Sequence, residues 1–518
     1  MKIPLEKKEA KILFVNPCLR KGAESKLPPV GLTYVMTMFK ENGYDFSLLD
    51  IDINEFDDSY VEDYVKNNKY DFVLLGSIVT HYKWIKWFVN TVKDFHPTTN
   101  VIVGNSVAGS IPETFFEKTL ADVIVIGEGE YSALDAVDAI RLGKNLEEVE
   151  GIACRDKNGK ALITPPKEVG NINEIPMIDW ELVEIQRYLK TAGGFLDKNE
   201  KAENTRILPV ATARGCAFKC TFCHYVFWND PYRNRSPESI IEEIKRDIEK
   251  YNVNYINFWD DLSFASSVHV ERLCDAIIES GLKFKWSASI RVDVFTRARL
   301  TRDESLKVAK KMKQSGCYSC GFSLESGNQE ILEMMNKKIE VDAFMETVQI
   351  LQEANIICNT SVVFGYPIET KKSINETFEQ CLKAGVYPSI GFLLPLPATG
   401  MWDYAVQNGF IKDTDSFLES ITERQDICLN MTKLTNDEIM SEIKKGGKEL
   451  NEMLELGLDE NSYIRTGRYK NYKAKVKTKI KNFSKSKQKD EFPLDPENVE
   501  RNENDFSFNY SATEFKAS

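Results

Sequence analysis

The chain has 518 residues, of which 42% are hydrophobic, and a formal net charge of -12. Its length exceeds the size at which one hydrophobic core stops growing, so we expect two or three folded units. The negative charge argues against nucleic-acid binding through the body of the protein, which requires clustered lysine and arginine. No apolar run is long enough for a membrane span, and the N-terminal one is too short for a secretory signal, which predicts a cytoplasmic protein.

Residues 10–142 alternate short apolar runs with amphipathic stretches. The apolar runs lie at 11–17, 46–52, 71–77, 100–104 and 122–130. Buried strands that alternate with helices predict a doubly wound, Rossmann-like α/β domain with a parallel sheet. Ligands of such a domain bind at the carboxyl ends of the strands, so the loops after these runs are the candidate binding loops.

The alternation stops over residues 143–206, which we predict to be a linker segment with a hairpin at its Asn-Gly turn signal. It resumes over 207–400 with about six strand-helix units, which predicts a partial parallel (β/α)6 barrel instead of a closed eightfold one. Residues 401–463 are predicted to form a helical C-terminal cap. The remaining 464–518 carry a basic run and then an acidic one, with few apolar residues, which predicts a disordered tail.

Three of the eleven cysteines, Cys216, Cys220 and Cys223, lie within eight residues directly after the first predicted barrel strand. Structural zinc takes four ligands, and His224 is poorly placed as the fourth because the side chains of adjacent residues diverge. Three thiolates suit a [4Fe-4S] cluster better, since they hold three irons and leave the fourth open for a substrate or cofactor. Zinc and an inert thiol cluster remain the alternatives.

Two further cysteines, Cys317 and Cys320, fall within the fourth predicted barrel strand. Buried free cysteine behaves as a small hydrophobic residue, so we interpret both as core or strand residues. A spacing of three along a strand is expected to point their side chains to opposite faces, which argues against a second metal site.

The CxxxCxxC motif after the first barrel strand resembles the radical S-adenosylmethionine (SAM) superfamily. The α/β domain ahead of the barrel is similar to that of the cobalamin-dependent subgroup, and the resemblance runs almost continuously from about residue 11 to 400. One departure is that the DxHxxG motif of classical cobalamin-binding domains is absent. His81, after the third predicted strand, is considered as an axial ligand, although a single histidine is more commonly a capping or surface group.

The resemblance implies SAM contacts at the predicted ends of the barrel strands. The candidates are Phe222, Asp260, Asp261, Arg291, Glu325, Gly365 and Glu369. Carboxylates and a guanidinium complement the ammonium, ribose and carboxylate of SAM, while Phe222 is expected to shield the cluster or pack on adenine. For each charged residue the alternative is an ordinary loop charge or a strand-end salt bridge.

The resemblance also implies a cobalamin site on the N-terminal domain. Small residues at strand ends would let a corrin or its nucleotide tail approach the backbone. The candidates are Gly104, Ser106, Gly127, Glu128 and Gly129. The alternative is that the glycines only satisfy turns.

The implied activity is reductive cleavage of SAM by the [4Fe-4S] cluster, with hydrogen abstraction from an unactivated carbon of a small organic or lipid-like substrate. Methylcobalamin would then deliver a methyl group to that carbon, and a reducing partner such as flavodoxin or ferredoxin would supply electrons. One alternative is radical cyclisation, oxidation or rearrangement without methyl transfer. Another is a non-enzymatic iron-sulfur redox or sensor protein.

Overall fold

The computed structural model describes residues 8–23, 25–168, 170–191, 205–223, 231–421 and 426–464. His224 and the predicted tail beyond residue 464 lie outside these residues. Among the helices of the described residues, none combines the length and the apolar character needed to cross a membrane.

The first part of the chain builds a seven-stranded sheet in the order β2-β1-β3-β4-β5-β6-β7. Its strands are β1 (Lys8–Asn16), β2 (Tyr44–Asp50), β3 (Phe72–Gly76), β4 (Asn100–Gly104), β5 (Val123–Val125), β6 (Ile152–Arg155) and β7 (Ala161–Ile163). The first five strands are parallel, and the β6-β7 hairpin extends the sheet in antiparallel pairing. Part of the segment predicted as a linker is therefore an edge of this sheet.

Helices cover both faces of this sheet. They are α1 (Val30–Glu41), α2 (Ile51–Asn54), α3 (Asp58–Asn67), α4 (Tyr82–Phe95), α5 (Ser106–Gly109), α6 (Pro112–Lys118), α7 (Gly129–Arg141) and α8 (Ile185–Thr191). Alternate residues of β1 enter two different cores: Ile12 and Phe14 pack on one side, and Leu13 and Val15 pack on the other. Burial on both faces explains why the strand is a continuous apolar run. The strand order reverses between β1 and β3, and this reversal places the ligand crevice of a doubly wound sheet at their carboxyl ends.

The second part builds a six-stranded, wholly parallel sheet in the order β15-β14-β13-β12-β11-β8. Its strands are β8 (Ile207–Val210), β11 (Tyr255–Phe258), β12 (Lys285–Ser289), β13 (Cys317–Glu325), β14 (Ile357–Phe364) and β15 (Pro388–Phe392). The edge strands β8 and β15 do not pair with each other, so the barrel is partial as predicted. A short hairpin, β9 (Ala213–Arg214) with β10 (Arg233–Asn234), flanks the cysteine segment.

Helices connect the strands of the second sheet and extend beyond it. They are α9 (Pro237–Tyr251), α10 (Ser267–Ser280), α11 (Arg302–Gln314), α12 (Gln329–Met334), α13 (Val341–Glu353), α14 (Lys371–Ala384), α15 (Gly400–Gln407), α16 (Thr414–Ser420) and α17 (Asn436–Leu454). Local sequence sets several boundaries: Ser236 caps α9 ahead of Pro237, and Thr301 forms a capping box with Glu304 at α11.

The C-terminal helices attach to both sheets. Helix α17 packs closely on α14, where a Cβ at Gly446 would overlap the ring of Phe378. Helix α16 is joined to α4 of the first unit through Asp415, which accepts hydrogen bonds from Lys86 Nζ at 2.8 Å and from Tyr82 Oη at 2.7 Å. These contacts tie the end of the described chain to both halves of the molecule.

Candidate active site

A cavity of about 570 Å³ lies between the carboxyl ends of the two sheets. From the first sheet it is lined by Gly76, Gly104, Asn105, Gly127, Glu128, Gly129 and Glu130, among others. From the second unit it is lined by Arg214, Gly215, Asn257, Trp259, Asp260, Asp261 and Ser289, among others. The cavity therefore combines the predicted binding edges of both parallel sheets.

The wall from the first sheet combines strand-end glycines with apolar side chains such as Phe14, Leu74 and Val125. A Cβ at Gly76 would lie 3.1 Å from the carbonyl oxygen of Gly104, and Gly127 has a φ of +85° that favours glycine. Asn105, next to them, holds a φ of 64° that is uncommon for a residue with a side chain. The strand-end glycines in this wall would let a large planar group such as a corrin approach the backbone.

Four of the five predicted cobalamin contacts line the cavity, and Ser106 does not. The Ser106 side chain is fully buried, and its Oγ accepts a hydrogen bond from the backbone N–H of Val79 at 3.1 Å. Its position links the loops that follow β3 and β4, which is a structural contact.

Glu128 lies in the cavity wall, but its carboxylate is already paired. It lies 3.1 Å from Arg214 Nη1 and also forms an ion pair with Arg233. Arg214 Nη2 lies 2.5 Å from Glu130 Oε1, and the guanidinium stands 5.0 Å from the centre of the Tyr34 ring. Burial lowers the pKa of Arg214, but Glu130 and Glu128 outweigh it, so its pKa lies above the ordinary arginine value. This Arg–Glu network joins the β9-β10 hairpin to the loop after β5.

The cysteine segment is fixed by hydrogen bonds to other parts of the second unit. The N–H of Thr221 donates to the carbonyl of Met335 at 2.9 Å, and the carbonyl of Thr221 accepts from the N–H of Met401 at 2.9 Å. Asn336 Nδ2 donates to the carbonyl of Lys219 at 2.7 Å. The loop between Cys216 and Cys223 is thus held by the turn after α12 and by the start of α15.

The thiols of this segment share one electrostatic environment. Burial raises the pKa of both Cys216 and Cys220, and the ammonium of Lys337 opposes that rise at each of them. A cation beside the thiols favours their thiolate forms, which are the forms that bind metal. Among the described residues, no three His, Cys, Asp or Glu side chains are drawn together around a single metal-ion position.

Phe222 lies between Cys220 and Cys223 in the sequence, and its ring is near Lys337. Its ring meets that of Tyr366 edge-on with the centroids 6.3 Å apart, and Lys337 Nζ lies 5.9 Å from its centre. It therefore packs beside the cysteine loop and a charged group, not in a remote core.

Arg291 is more fully paired than the sequence prediction assumed. Its Nε and Nη2 each lie 2.9 Å from a carboxylate oxygen of Asp293, and it donates to the backbone carbonyls of Lys337 and Lys338. The guanidinium also lies 3.5 Å from the centre of the Phe218 ring. Arg291 thus braces the cysteine loop and the turn after α12.

Lys337 is a buried cation that the sequence analysis missed. Its Nζ lies 2.9 Å from Glu325 Oε1, and both residues are less than one-tenth exposed. Burial lowers the pKa of Lys337, but Glu325 and Cys220 raise it, and the net pKa is above the ordinary lysine value. Glu325 itself adopts a φ of 64° at the end of β13. The only sequence signal for this pair is a lysine twelve residues after a strand-end glutamate.

The two adjacent aspartates after β11 differ in their surroundings. Asp260 accepts hydrogen bonds from Thr212 N at 2.8 Å, Thr212 Oγ1 at 2.7 Å and Ala213 N at 3.1 Å, and burial raises its pKa to about 6. Asp261 is exposed in the cavity wall and forms no hydrogen bond or ion pair within the described part of the chain. Asp260 therefore holds the β8-β9 connection, and Asp261 presents a carboxylate to the cavity.

Gly365 and Glu369 form a closed loop after β14. Gly365 has a φ of +103°, and its N–H donates to Glu369 Oε2 at 3.2 Å. Glu369 also accepts from Ser373 Oγ, and burial raises its pKa to about 7. The carboxylate stabilises the loop internally.

His81 does not line the cavity. Its Nδ1 lies 3.2 Å from Ser77 Oγ, and its ring stacks on Trp84 with centroids 5.2 Å apart. Burial lowers its pKa to about 4, so it is neutral. The ring of His81 is thus engaged by Ser77 and Trp84 outside the cavity, which does not support an axial role.

The prediction for Cys317 and Cys320 is half correct. Both are buried, but their sulfur atoms lie 3.7 Å apart instead of on opposite faces. The register between β12 and β13 shifts after Trp286, so that an irregularity in β13 brings the two side chains together.

Comparison with known proteins agrees with the two-part architecture. The family model of the radical SAM superfamily matches residues 210–381, and the model of the B12 binding domain matches residues 18–137. An uncharacterized methyltransferase of Pyrococcus horikoshii is 27% identical over 412 residues, which cover 78% of this chain and 85% of that protein. The anaerobic magnesium-protoporphyrin IX monomethyl ester cyclase of Rubrivivax gelatinosus is 25% identical over 380 residues, which cover 71% of this chain and 65% of the cyclase.

A solved structure shares the fold. TsrM of Kitasatospora setae, a radical S-adenosylmethionine methyltransferase with cobalamin and a [4Fe-4S] cluster bound, aligns with a TM-score of 0.61 at 15% identity. The alignment covers 78% of this chain and 79% of that one. Similarity at this level of identity shows the shared arrangement of a B12-binding-type sheet in front of a partial barrel.

Proposed function

Because the chain belongs to the radical SAM superfamily and carries a B12-binding domain ahead of its radical SAM domain, we propose that it methylates an unactivated carbon of a small organic molecule. The supporting observation is the cavity between the carboxyl ends of the two sheets, which has strand-end glycines on one side and Arg214 and Gly215, the residues that lead into Cys216, on the other. A reaction that combines two cofactors needs both of them at one cavity.

The residues present fit the three cofactors of this family. Cys216, Cys220 and Cys223 would hold a [4Fe-4S] cluster, since three thiols on one loop leave one iron for SAM. The strand-end glycines Gly104 and Gly127 would lie against cobalamin. When bound, the reduced cluster supplies the electron that cleaves SAM, and cobalamin supplies the methyl group.

The charges around the cysteine loop complement SAM. The ammonium of Lys337 acts on the thiols of Cys216 and Cys220, so we assign it to the SAM carboxylate, with Glu325 holding it in place at 2.9 Å. Asp261 presents a carboxylate without a protein partner among the described residues, which suits the SAM ammonium. Arg291 acts as a positioning residue, because Asp293 and two backbone carbonyls already occupy its donors.

Electron and atom balance makes the proposal quantitative. Each methyl transfer would consume two SAM molecules and two electrons. One SAM gives methionine and 5′-deoxyadenosine, which carries away the substrate hydrogen, and the other gives S-adenosylhomocysteine and the methyl group. A cytoplasmic flavodoxin or ferredoxin is the proposed electron donor.

The test is anaerobic reconstitution with cobalamin, SAM and a strong reductant, followed by quantification of the three products. We expect methylated product, 5′-deoxyadenosine and S-adenosylhomocysteine in equal amounts. Deoxyadenosine with no methylated product would contradict methyl transfer and support radical cyclisation, oxidation or rearrangement. A protein that holds a full cluster but never cleaves SAM would contradict radical SAM activity altogether.

A further inference from the structure

The second sheet has two chemically different faces. On one face, Trp286 meets Phe258 with ring centroids 5.4 Å apart, and Phe322 packs edge-on against Phe344 of α13. This face is covered by helices and forms the large apolar core. Residues at alternate positions point away from these helices, into the concave side of the partial barrel.

The first row on the concave side contains small polar residues. Strand register places Asn257 of β11 beside Ser287 of β12, and Ser287 beside Ser319 of β13. Ser287 Oγ donates to Asn257 Oδ1 at 3.2 Å, which shows that the two side chains share a face. Asn257 and Ser287 are only partly buried.

Two more rows repeat this composition toward the carboxyl ends of the strands. Ser289, Gly321 and Asn359 are register neighbours on β12, β13 and β14. Nearer β15, Ser323 pairs with Ser361, whose Oγ donates to Ser323 Oγ at 3.4 Å, and Ser361 pairs with Ser389.

The polar rows are continuous with the cavity at one end. At the other end, apolar residues lie beneath them. Asn257 and Ser289 belong to the cavity wall. At the N-terminal ends of β8 and β11, Ile207 and Tyr255 form an apolar cluster, with Leu27 packed against it. The polar rows therefore lie above an apolar floor and open toward the cofactor cavity.

We propose that the substrate is a hydroxyl-rich, carbohydrate-like molecule that lies against the Ser-Asn rows, and not a lipid. This inference rests on the proposed function and specifies its substrate class. Serine hydroxyls and asparagine amides both donate and accept hydrogen bonds, so they match a molecule with many hydroxyl groups. An apolar substrate would desolvate these groups and leave unpaired every donor and acceptor that the Ser287–Asn257 and Ser361–Ser323 hydrogen bonds do not use. The rows carry no charged side chain, so the matched part of the substrate is neutral.

The test uses the reconstituted holoenzyme with SAM that carries a CD3 methyl group. An extract of the cells that naturally make this protein is partitioned between chloroform and aqueous methanol, and each phase is supplied separately. We expect the water phase to stimulate 5′-deoxyadenosine formation and to yield a CD3-labelled product with several hydrogens that exchange in D2O. Stimulation or CD3 label that is found only with the chloroform phase overturns the substrate class. The substrate class is also overturned if the enzyme cleaves SAM without extract but the water phase does not increase that cleavage.

The readouts separate this inference from the proposed function. Deoxyadenosine stimulated by the water phase without CD3 transfer supports the substrate class and contradicts methylation. An enzyme with no SAM cleavage under any condition contradicts the function, and the substrate class falls with it.

Variants test whether the rows make the contact. In Ser323→Ala/Ser361→Ala, the amount of water-phase extract needed for half-maximal stimulation should rise on the order of thirtyfold, because two hydrogen bonds of about 1 kcal/mol each are lost. Ser441→Ala removes an exposed hydroxyl on α17 and should change nothing. Iron content, measured on each sample, distinguishes a lost contact from a misfolded barrel. A double variant with full iron content and an unchanged half-maximal amount overturns the proposal.

Discussion

Arg214 Nη1 lies 3.1 Å from Glu128 Oε2, so the residue two positions before Cys216 is bonded to the loop that follows β5 of the first sheet. The same guanidinium reaches Glu130 Oε1 at 2.5 Å. The segment that leads into the cysteine loop and the loop after β5 are therefore fixed to each other by an ion-pair network. Two cofactors that react in one cavity need such fixed spacing, because small displacements of reacting groups lower rates strongly.

Replacement of Arg214 should destabilise the protein and loosen this junction. Arg214→Met leaves Glu130 without the guanidinium, and an uncompensated buried charge costs about 3–5 kcal/mol. We expect a lower thermal unfolding midpoint and weaker retention of cobalamin on gel filtration.

The matched control is Arg302→Met, which breaks an exposed pair with Glu353 at 2.9 Å. Exposed pairs contribute about 0–1 kcal/mol, so this variant should behave like the wild type. Equal midpoints and equal cobalamin retention for Arg214→Met and Arg302→Met would show that the junction does not depend on Arg214.

Removal of one cluster thiol should abolish SAM cleavage. Cys220→Ala deprives the predicted [4Fe-4S] cluster of one of three ligands, so iron and sulfide content and 5′-deoxyadenosine formation should fall together. Cys381→Ala, which removes a fully buried thiol in α14, should keep its iron and its activity. A Cys220→Ala protein that retains full iron and cleaves SAM would refute the assignment of this loop.

Most of the architecture follows from local sequence, whereas side-chain pairing does not. Helix α9, for example, starts at Pro237 because a capping serine and an N-terminal proline mark that position. The cysteine motif is equally local. Cys317 and Cys320 were misplaced because an irregularity in β13 depends on the neighbouring strand.

Charge partners depend on tertiary structure in the same way. Arg291 was assigned to SAM from its position at a strand end, but its contacts with Asp293 and the turn after α12 exist only in the folded chain. Lys337 belongs to no sequence motif. It can be recognised as a candidate site residue only in the folded chain, where it is buried beside Glu325 and its charge acts on the Cys220 thiol.

A two-step substitution can separate the role of Lys337 in SAM binding from its role in stability. Lys337→Met leaves the buried Glu325 carboxylate unpaired, so the thermal midpoint should fall by an amount that corresponds to about 3–5 kcal/mol. Lys337→Met/Glu325→Gln removes both charges and should recover most of that stability. The double variant should still bind SAM at least about tenfold more weakly in equilibrium dialysis, because a charge-assisted hydrogen bond contributes about 1.5–3 kcal/mol.

Two results would contradict that assignment. Wild-type SAM affinity in the double variant would show that SAM binding does not depend on the Lys337 ammonium. Equal stability of the single variant and the wild type would show that the ion pair is not buried in solution.

The Glu369 carboxyl should make stability depend on pH. Burial raises its folded-state pKa from the ordinary glutamate value of 4.5 to about 7, so the folded state binds more protons than the unfolded state between these values. The stabilisation from this proton is therefore fully present below about pH 4.5 and is lost as pH rises toward 7. Glu369→Gln keeps an oxygen that accepts from Gly365 N–H, and its amide N–H can donate to Ser373 Oγ, but it cannot ionise. The thermal midpoint of this variant, relative to that of the wild type, should therefore rise as pH rises from 5 to 8. Glu304→Gln, at an exposed α11 capping box, is the control and should show no such gain. A difference between Glu369→Gln and wild type that is the same at pH 5 and pH 8 would show that Glu369 does not titrate in this range.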